Sequence, residues 1–191
     1  MACPAKCAAD SLMTIADGDI LHYLAYGSNM LRERLAERVG QVGVVGGVRL
    51  TGYRLGFNML SRDGSGKCNA SLTGSARHSL HGVVYRMTGE QKRLLDHYEG
   101  PRYESRWLEV GKAGGAMKIF TYVGREEHVA TGLSPYSWYK AFVHAGALQH
   151  RLPGPYIAGI AASPTIADPD GERHQRNVQV LRATQYADIV D

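Results

Sequence analysis

The pattern of apolar and polar positions along the chain predicts several short strands. The continuous apolar run ILHYLAY at 20–26 predicts a buried strand, and LHGVVYRM at 80–87 predicts another. YESRWLEV at 103–110 and AMKIFTYV at 116–123 predict two strands that flank a Gly-Gly turn. The glycine-rich segment 42–57 alternates imperfectly, so it predicts one or two strands with bends.

Apolar residues at helical spacing predict helices between and after these strands. One helix is predicted after Asn29, which can cap its N-terminus. Its apolar residues recur every four positions, at Leu31, Leu35 and Val39. A second helix begins with the capping-box spacing of Thr88 and Gln91. The segments 135–150 and 156–161 predict two more helices.

Strands outnumber helices and do not alternate strictly with them, which predicts an α+β fold. We expect a single domain over residues 19–165, with a small, mixed, β-barrel-like sheet flanked by helices. Residues 1–18 are expected to form a disordered leader. Residues 166–191 are expected to form a C-terminal extension, in which Val178 and Leu181 favour a helix.

Composition narrows the class of protein. The chain has 191 residues, which suits one domain with a substantial core, and 44 % of them are hydrophobic and 21 % charged. No apolar run approaches the ~18 residues of a membrane span, and the first residues lack the apolar core of a signal peptide. The cysteines are few and odd in number, which favours a reducing cytoplasm over a disulfide framework.

The net charge of +4 is too small to predict a nucleic-acid binder. Two glutamates, Glu33 and Glu37, oppose the arginines that supply much of the excess between residues 29 and 62. These arginines are Arg32, Arg34, Arg38, Arg49, Arg54 and Arg62. One interpretation is a solvated helix face with strand edges. The other is a field that attracts a small acidic substrate.

Two apparent motifs fail when their spacing is examined. RDGSGKC at 62–68 resembles a phosphate-binding loop, but Ser61 stands where a glycine is required and Cys68 where Ser or Thr is required. His78 and His81 could contribute to a metal site, but no third ligand follows at a suggestive spacing. We therefore predict neither a nucleotide site nor a metal site.

The junction Tyr26-Gly27-Ser28-Asn29 places small polar residues between a strand and a helix. It is either a plain turn or a ligand loop whose backbone N–H groups converge beyond the strand. A helix N-terminus carries positive partial charge and suits an anion or a developing oxyanion.

Glu99 in LLDHYEGP falls at the C-terminal end of a helix that Gly100-Pro101 terminates. The helix dipole disfavours negative charge there, which would raise the pKa of the carboxyl and make it a better base at neutral pH. The alternative is a solvated glutamate beside the end of the helix.

Three segments together resemble the γ-glutamylcyclotransferase family. YLAYGSNM at 23–30 resembles its N-terminal strand-and-loop signature, and LLDHYEG at 94–100 resembles its catalytic-glutamate segment. SPYSWYKAFVHAGALQHRLPGPYI at 134–157 resembles a later helix of the family. The resemblance runs in the same order from residue 20 to about 162.

The resemblance implies a fold, a site and a chemistry. The fold is a small mixed β-barrel flanked by helices, and the catalytic base is Glu99. The substrate-binding residues that it implies are Tyr23, Leu24, Ala25, Tyr26, Gly27, Ser28, Asn29, Tyr103 and Tyr139. The family's reaction needs no cofactor and no metal, and its partner is a small γ-glutamyl compound rather than nucleic acid or membrane.

In the implied reaction, the α-amine of a γ-glutamyl substrate attacks its own γ-carbonyl and releases 5-oxoproline and an amine. The leaving amine is open among an amino acid, a polyamine, a lysine side chain and an antibiotic amine. Two other functions are considered. One is an inactive module that binds small anions, and the other is a γ-glutamyl hydrolase that uses Ser28 or a water and releases glutamate.

Overall fold

Five strands form a mixed, curled sheet in the computed structural model, which describes residues 14–112 and 115–189. In chain order the strands of the fold are β1 (Ile20–Ala25), β2 (Gly43–Thr51), β3 (Tyr53–Leu60), β4 (Gly66–Leu72), β5 (Ser79–Thr88), β6 (Tyr103–Lys112) and β7 (Gly115–Gly124). The sheet has the order β2-β5-β1-β7-β6, and β3 and β4 form a separate hairpin. The predicted α+β class is confirmed, although the sheet does not close into a barrel.

The central position of β1 explains its continuous apolar sequence. β1 pairs antiparallel with β5 on one side and parallel with β7 on the other. A central strand with both faces covered needs apolar residues at successive positions rather than alternation. The glycine-rich β2 is an edge strand with a bulge between Val44 and Gly46, which agrees with the predicted bends.

Helices pack around this sheet. In chain order they are α1 (Arg32–Val39), α2 (Gly89–Glu99), α3 (Ser137–Gln149), α4 (Gly154–Ala161) and α5 (Gly171–Arg182). A 3-10 turn at Ser28–Met30 joins β1 to α1, and a second one at Gly100–Arg102 follows α2. The predicted capping box of Thr88 and Gln91 is confirmed at the start of α2.

The 3-10 turn after β1 is held in place by α3. A Cβ on Gly146 of α3 would lie 2.5 Å from the backbone nitrogen of Leu31 and 2.6 Å from Cβ of Met30. Met30 and Leu31 are fully buried, and the carbonyl of Met30 accepts a hydrogen bond from the Tyr85 hydroxyl at 2.6 Å. The glycine in α3 therefore lets the helix approach the turn closely enough to fix its position.

The residues before β1 pack on the N-terminus of α2. The carbonyls of Asp19 and Asp17 accept hydrogen bonds from the backbone N–H groups of Gly89 and Glu90, at 2.9 and 3.2 Å. These contacts satisfy N–H groups that a helix leaves free in its first turn. Most of the expected leader, residues 1–13, lies outside the described residues, so its disorder stays a prediction.

The segment after residue 165 packs against α3. Val178 and Leu181 of α5 are buried, and the indole N–H of Trp138 in α3 donates to the carboxylate of Asp168 at 2.8 Å. Arg173 forms an ion pair with the same carboxylate. None of the helices within the described ranges has the length and apolar character needed to cross a membrane.

Candidate active site

A cavity of about 690 Å³ lies beyond the C-terminal end of β1. It brings together eight predicted site residues, which are Tyr23, Tyr26, Gly27, Ser28, Asn29, Glu99, Tyr103 and Tyr139. The structure does not place Leu24 and Ala25 on the cavity, because β1 is central and buries both side chains in the core. The catalytic role of Glu99 and the binding roles of the other seven stay predictions.

Glu99 is the last residue of α2, and its side chain is only 14 % exposed. Its Oε1 accepts a hydrogen bond from Asn29 Nδ2 at 2.8 Å and lies 3.5 Å from Nη1 of Arg38. The carboxyl group therefore lies inside the cavity beside the loop that follows β1. The alternative of a solvated glutamate at the end of the helix is wrong.

The environment of Glu99 raises the pKa of its carboxyl above the ordinary value of 4.5. Burial is the largest cause, because desolvation penalises the charged form. Arg38, the hydrogen bond from Asn29 and Arg34 act in the opposite direction without reversing the shift. The sequence predicted the direction from the end of the helix, whereas the structure assigns the main effect to burial.

Asn29 connects three segments through one side-chain amide. Its Nδ2 donates to the Tyr23 hydroxyl at 3.0 Å as well as to Glu99, and its Oδ1 accepts from Arg38 Nη1 at 3.0 Å. The prediction that Asn29 caps α1 is wrong, since Leu31 is the N-cap residue and no side chain caps that helix. The chain first tightens into the 3-10 turn, which directs the amide towards Glu99 instead.

The loop at 27–29 consists of residues whose backbone N–H groups have no acceptor among the described residues. All three residues line the cavity. Backbone N–H groups in this position can stabilise negative charge that develops on a bound carbonyl oxygen.

Gly27 is required by close packing rather than by an unusual backbone angle, since its φ is −111°. A Cβ at this position would lie 3.1 Å from Cβ of Cys68 and 3.3 Å from the Tyr139 hydroxyl. Any larger residue would therefore displace the loop or one of these two neighbours.

Tyr139 and Tyr103 both hold the peptide backbone of Cys68 in β4. The N–H of Cys68 donates to the Tyr139 hydroxyl at 3.1 Å, and the Tyr103 hydroxyl donates to the Cys68 carbonyl at 2.7 Å. Burial raises the pKa of both tyrosines well above the usual range, so both hydroxyls stay neutral. Burial also raises the pKa of the Cys68 thiol to about 12, which argues against a thiolate nucleophile.

Lys67 in the rejected phosphate-loop motif belongs to strand β4 and not to the start of a helix. Its Nζ forms an ion pair with Asp63 at 2.8 Å and lies 4.8 Å from the centre of the Tyr139 ring. The lysine thus forms an ion pair within its own hairpin.

Two arginines of α1 also line the cavity, and sequence analysis did not assign them to the site. Arg34 and Arg38 are 16 % and 17 % exposed, whereas Arg32 on the same helix faces solvent. The interpretation of a solvated helix face is therefore wrong for Arg34 and Arg38. Their spacing of four residues, which places them on one face of a helix, was the available signal.

Comparison with known proteins identifies the family. The sequence model of the family described as gamma-glutamyl cyclotransferase, AIG2-like, matches residues 23–141. Because the match covers more than half of the chain, the protein belongs to this family, and the resemblance is confirmed. A search of curated proteins finds no significant match.

Solved structures with the same fold include a gamma-glutamyl cyclotransferase, with a TM-score of 0.75 and 22 % identity over 87 % of this chain and 100 % of the other. An uncharacterised protein from Homo sapiens gives a TM-score of 0.69 and 23 % identity over 82 % of this chain and 98 % of the other. YkqA from Bacillus subtilis gives a TM-score of 0.64 and 20 % identity, and the match spans 78 % of this chain and 56 % of that one. At these identities the similarity concerns the fold.

Proposed function

We propose that the protein is a γ-glutamylcyclotransferase in which Glu99 acts as the general base. The observation that carries the proposal is the position of a buried carboxyl with a raised pKa in the same cavity as a loop with free N–H groups. A base and an oxyanion-stabilising loop must both reach atoms of one small substrate. The hydrogen bond between Asn29 and Glu99 ties these two parts of the site together.

In the proposed reaction, Glu99 takes a proton from the α-ammonium group of the substrate. The amine nitrogen then attacks the γ-carbonyl carbon, and the carbonyl oxygen becomes an oxyanion that the N–H groups of 27–29 stabilise. The tetrahedral intermediate collapses by breaking the bond between this carbon and the leaving nitrogen. Protonated Glu99 gives its proton to the leaving nitrogen as that bond breaks. The regenerated carboxylate then takes the second proton from the ring nitrogen and passes it to the departing amine or to solvent, so the products are 5-oxoproline and a free amine.

Most of the catalytic effect in this scheme comes from positioning. Nucleophile and electrophile belong to one molecule, and holding them in the reactive geometry can contribute ~7–11 kcal/mol at the upper end. The buried Tyr139 and the partly buried Tyr103 both bind the backbone of Cys68 in β4, which packs against Gly27. The raised pKa of Glu99 makes it a stronger base than an exposed carboxylate.

The first prediction concerns the reaction products. We expect at least one member of a panel of γ-glutamyl amino acids, polyamines and lysine conjugates to release 5-oxoproline, measured by chromatography of the reaction mixture. Free glutamate in place of 5-oxoproline would support a hydrolase. Binding without any turnover would support the anion-binding module. A hydrolase that uses Ser28 also needs a base in contact with its hydroxyl.

The second prediction distinguishes a ligand loop from a plain turn. We expect Gly27→Val to lower 5-oxoproline release about 100-fold per folded molecule, because a shift of ~1 Å in a positioned group can cost that much. Its contacts with buried Cys68 should also lower the melting temperature. Both quantities are measured on the same preparation.

Gly111→Val on β6 is the matched control, because no atom lies within 4 Å of a Cβ at that position. We expect this variant to retain wild-type activity. Equal activity per folded molecule in the two variants would show that the loop at 27–29 is only a turn.

A further inference from the structure

We infer that Arg34 and Arg38 form a binding site for the α-carboxylate of the substrate's γ-glutamyl group. The identity of that carboxylate rests on the proposed function. The site itself rests on the geometry of two guanidinium groups that α1 directs into the cavity.

Aromatic rings hold both guanidinium groups in place. Cζ of Arg34 lies 4.7 Å from the centre of the Phe142 ring, and Cζ of Arg38 lies 5.5 Å from the centre of the Tyr98 ring. A guanidinium group over a ring face can still use its N–H groups for hydrogen bonds. The two side chains are thus fixed before a ligand arrives, which lowers the entropic cost of binding.

Both guanidinium groups have unused hydrogen-bonding capacity. Each guanidinium has five N–H donors, yet in the described part of the chain only Nη1 of each has a protein acceptor. Nε of Arg34 is buried and has no described partner. A buried donor without an acceptor is costly, and a bound carboxylate can relieve part of that cost by occupying the neighbouring donors.

The charges around the site also favour an anion. Glu99 is the carboxylate closest to Arg38, whereas the partner of Arg34, Glu37, is 53 % exposed. When Glu99 is protonated, the exposed Glu37 is the one ionised carboxylate that pairs with Arg34 or Arg38 among the described residues. Burial and the charge of Arg38 lower the pKa of Arg34 to about 10, because two positive charges lie close together in a partly desolvated place.

The position of Arg38 gives the site a role in catalysis. Its Nη1 lies 3.5 Å from Oε1 of Glu99. In a γ-glutamyl compound, the α-carboxylate and the α-amine are attached to the same carbon atom. A carboxylate bound by the two arginines therefore places the amine next to the base that must deprotonate it.

The experiment compares two ligands that differ only in the carboxylate. 5-Oxoproline carries this group, and pyrrolidin-2-one is the same ring without it. Calorimetry should show that the wild-type protein binds 5-oxoproline about 10- to 100-fold more tightly, as expected for hydrogen bonds to a charged group. Arg34→Met should lose most of this preference.

Arg32→Met is the matched control, because Arg32 lies on the same helix but outside this cavity. It should keep the full preference. Arg34→Lys provides a second test if the methionine variant folds poorly, since it retains the charge and the packing of the stem but loses the planar fork. We expect it to retain only part of the preference.

Equal binding of the two ligands by the wild-type protein, or no detectable binding of 5-oxoproline, would overturn the inference. The same holds if Arg34→Met and Arg34→Lys keep the wild-type preference. A different result would separate the two claims. If the carboxylate preference depends on Arg34 but the protein releases no 5-oxoproline from any γ-glutamyl compound, the site is supported and the proposed function is contradicted.

Discussion

Glu99→Gln is expected to lower the rate of 5-oxoproline release about 100-fold or more, while a γ-glutamyl compound still binds. The amide is nearly isosteric with the carboxyl and can keep the contact with Asn29, but it cannot accept the proton of the α-ammonium group. Losses of about 100- to 10,000-fold are typical when a general base is removed. Steady-state kinetics combined with calorimetric binding would separate the two effects.

Glu104→Gln is the control for this experiment. Glu104 lies on β6, pairs with Arg106 and Arg125, and does not line the cavity. We expect its activity to match the wild type. If Glu99→Gln retained more than about a tenth of the wild-type rate, the assignment of the base would be wrong.

The pH dependence gives a second measurement on the same variant. Wild-type activity should rise with pH through the pKa of Glu99, which lies above 4.5, because only the ionised form can act as a base.

Stability should also depend on pH through this group. Between 4.5 and that raised value, the folded protein binds more protons at Glu99 than the unfolded chain does. The contribution of this group to the free energy of unfolding therefore decreases as pH rises through the window. Glu99→Gln should lack that decrease.

Gly146→Ala is expected to lower stability, because a Cβ would lie 2.5 Å from the backbone nitrogen of Leu31. Overpacking of this kind typically costs about 1–3 kcal/mol, which corresponds to roughly 2–4 °C in melting temperature per kcal/mol for a chain of this size. The 3-10 turn that carries Asn29 must shift, so we also expect activity per folded molecule to fall. Thermal unfolding and 5-oxoproline release would measure the two effects.

Gly159→Ala in α4 is the matched control, since no atom lies within 4 Å of a Cβ there. Both substitutions raise helix propensity by the same amount. The difference between the melting temperatures of the two variants therefore isolates the effect of the contact with the turn. We expect Gly159→Ala to be neutral or stabilising by up to about 1 kcal/mol. Equal stability of the two variants would show that α3 does not fix the turn.

The elements that could be predicted from sequence are those determined by nearby residues. Apolar patterning located the strands around Tyr23 and Tyr85, and the capping box of Thr88 and Gln91 was found because both partners lie within one turn. The loop at 27–29 and Glu99 were singled out locally. Their assignment to one site, however, came from the family resemblance.

The features that sequence analysis missed depend on contacts between distant segments. Asn29 and Glu99 are separated by 70 positions, and Cys68 and Tyr139 by 71. No local pattern distinguishes an amide that caps a helix from one that reaches a remote carboxyl. The inward direction of Arg34 likewise depends on Phe142 of α3, against which its guanidinium packs.

The hairpin of β3 and β4 lies outside the five-stranded sheet, yet its residues Ser61, Arg62 and Lys67 line the cavity. Glu99 and the loop after β1 come from other parts of the fold. Turns of hairpins accept changes in length and sequence with little effect on the elements they connect. The part of the cavity wall that this turn forms can therefore change in length and sequence while Glu99 and the loop after β1 keep their positions.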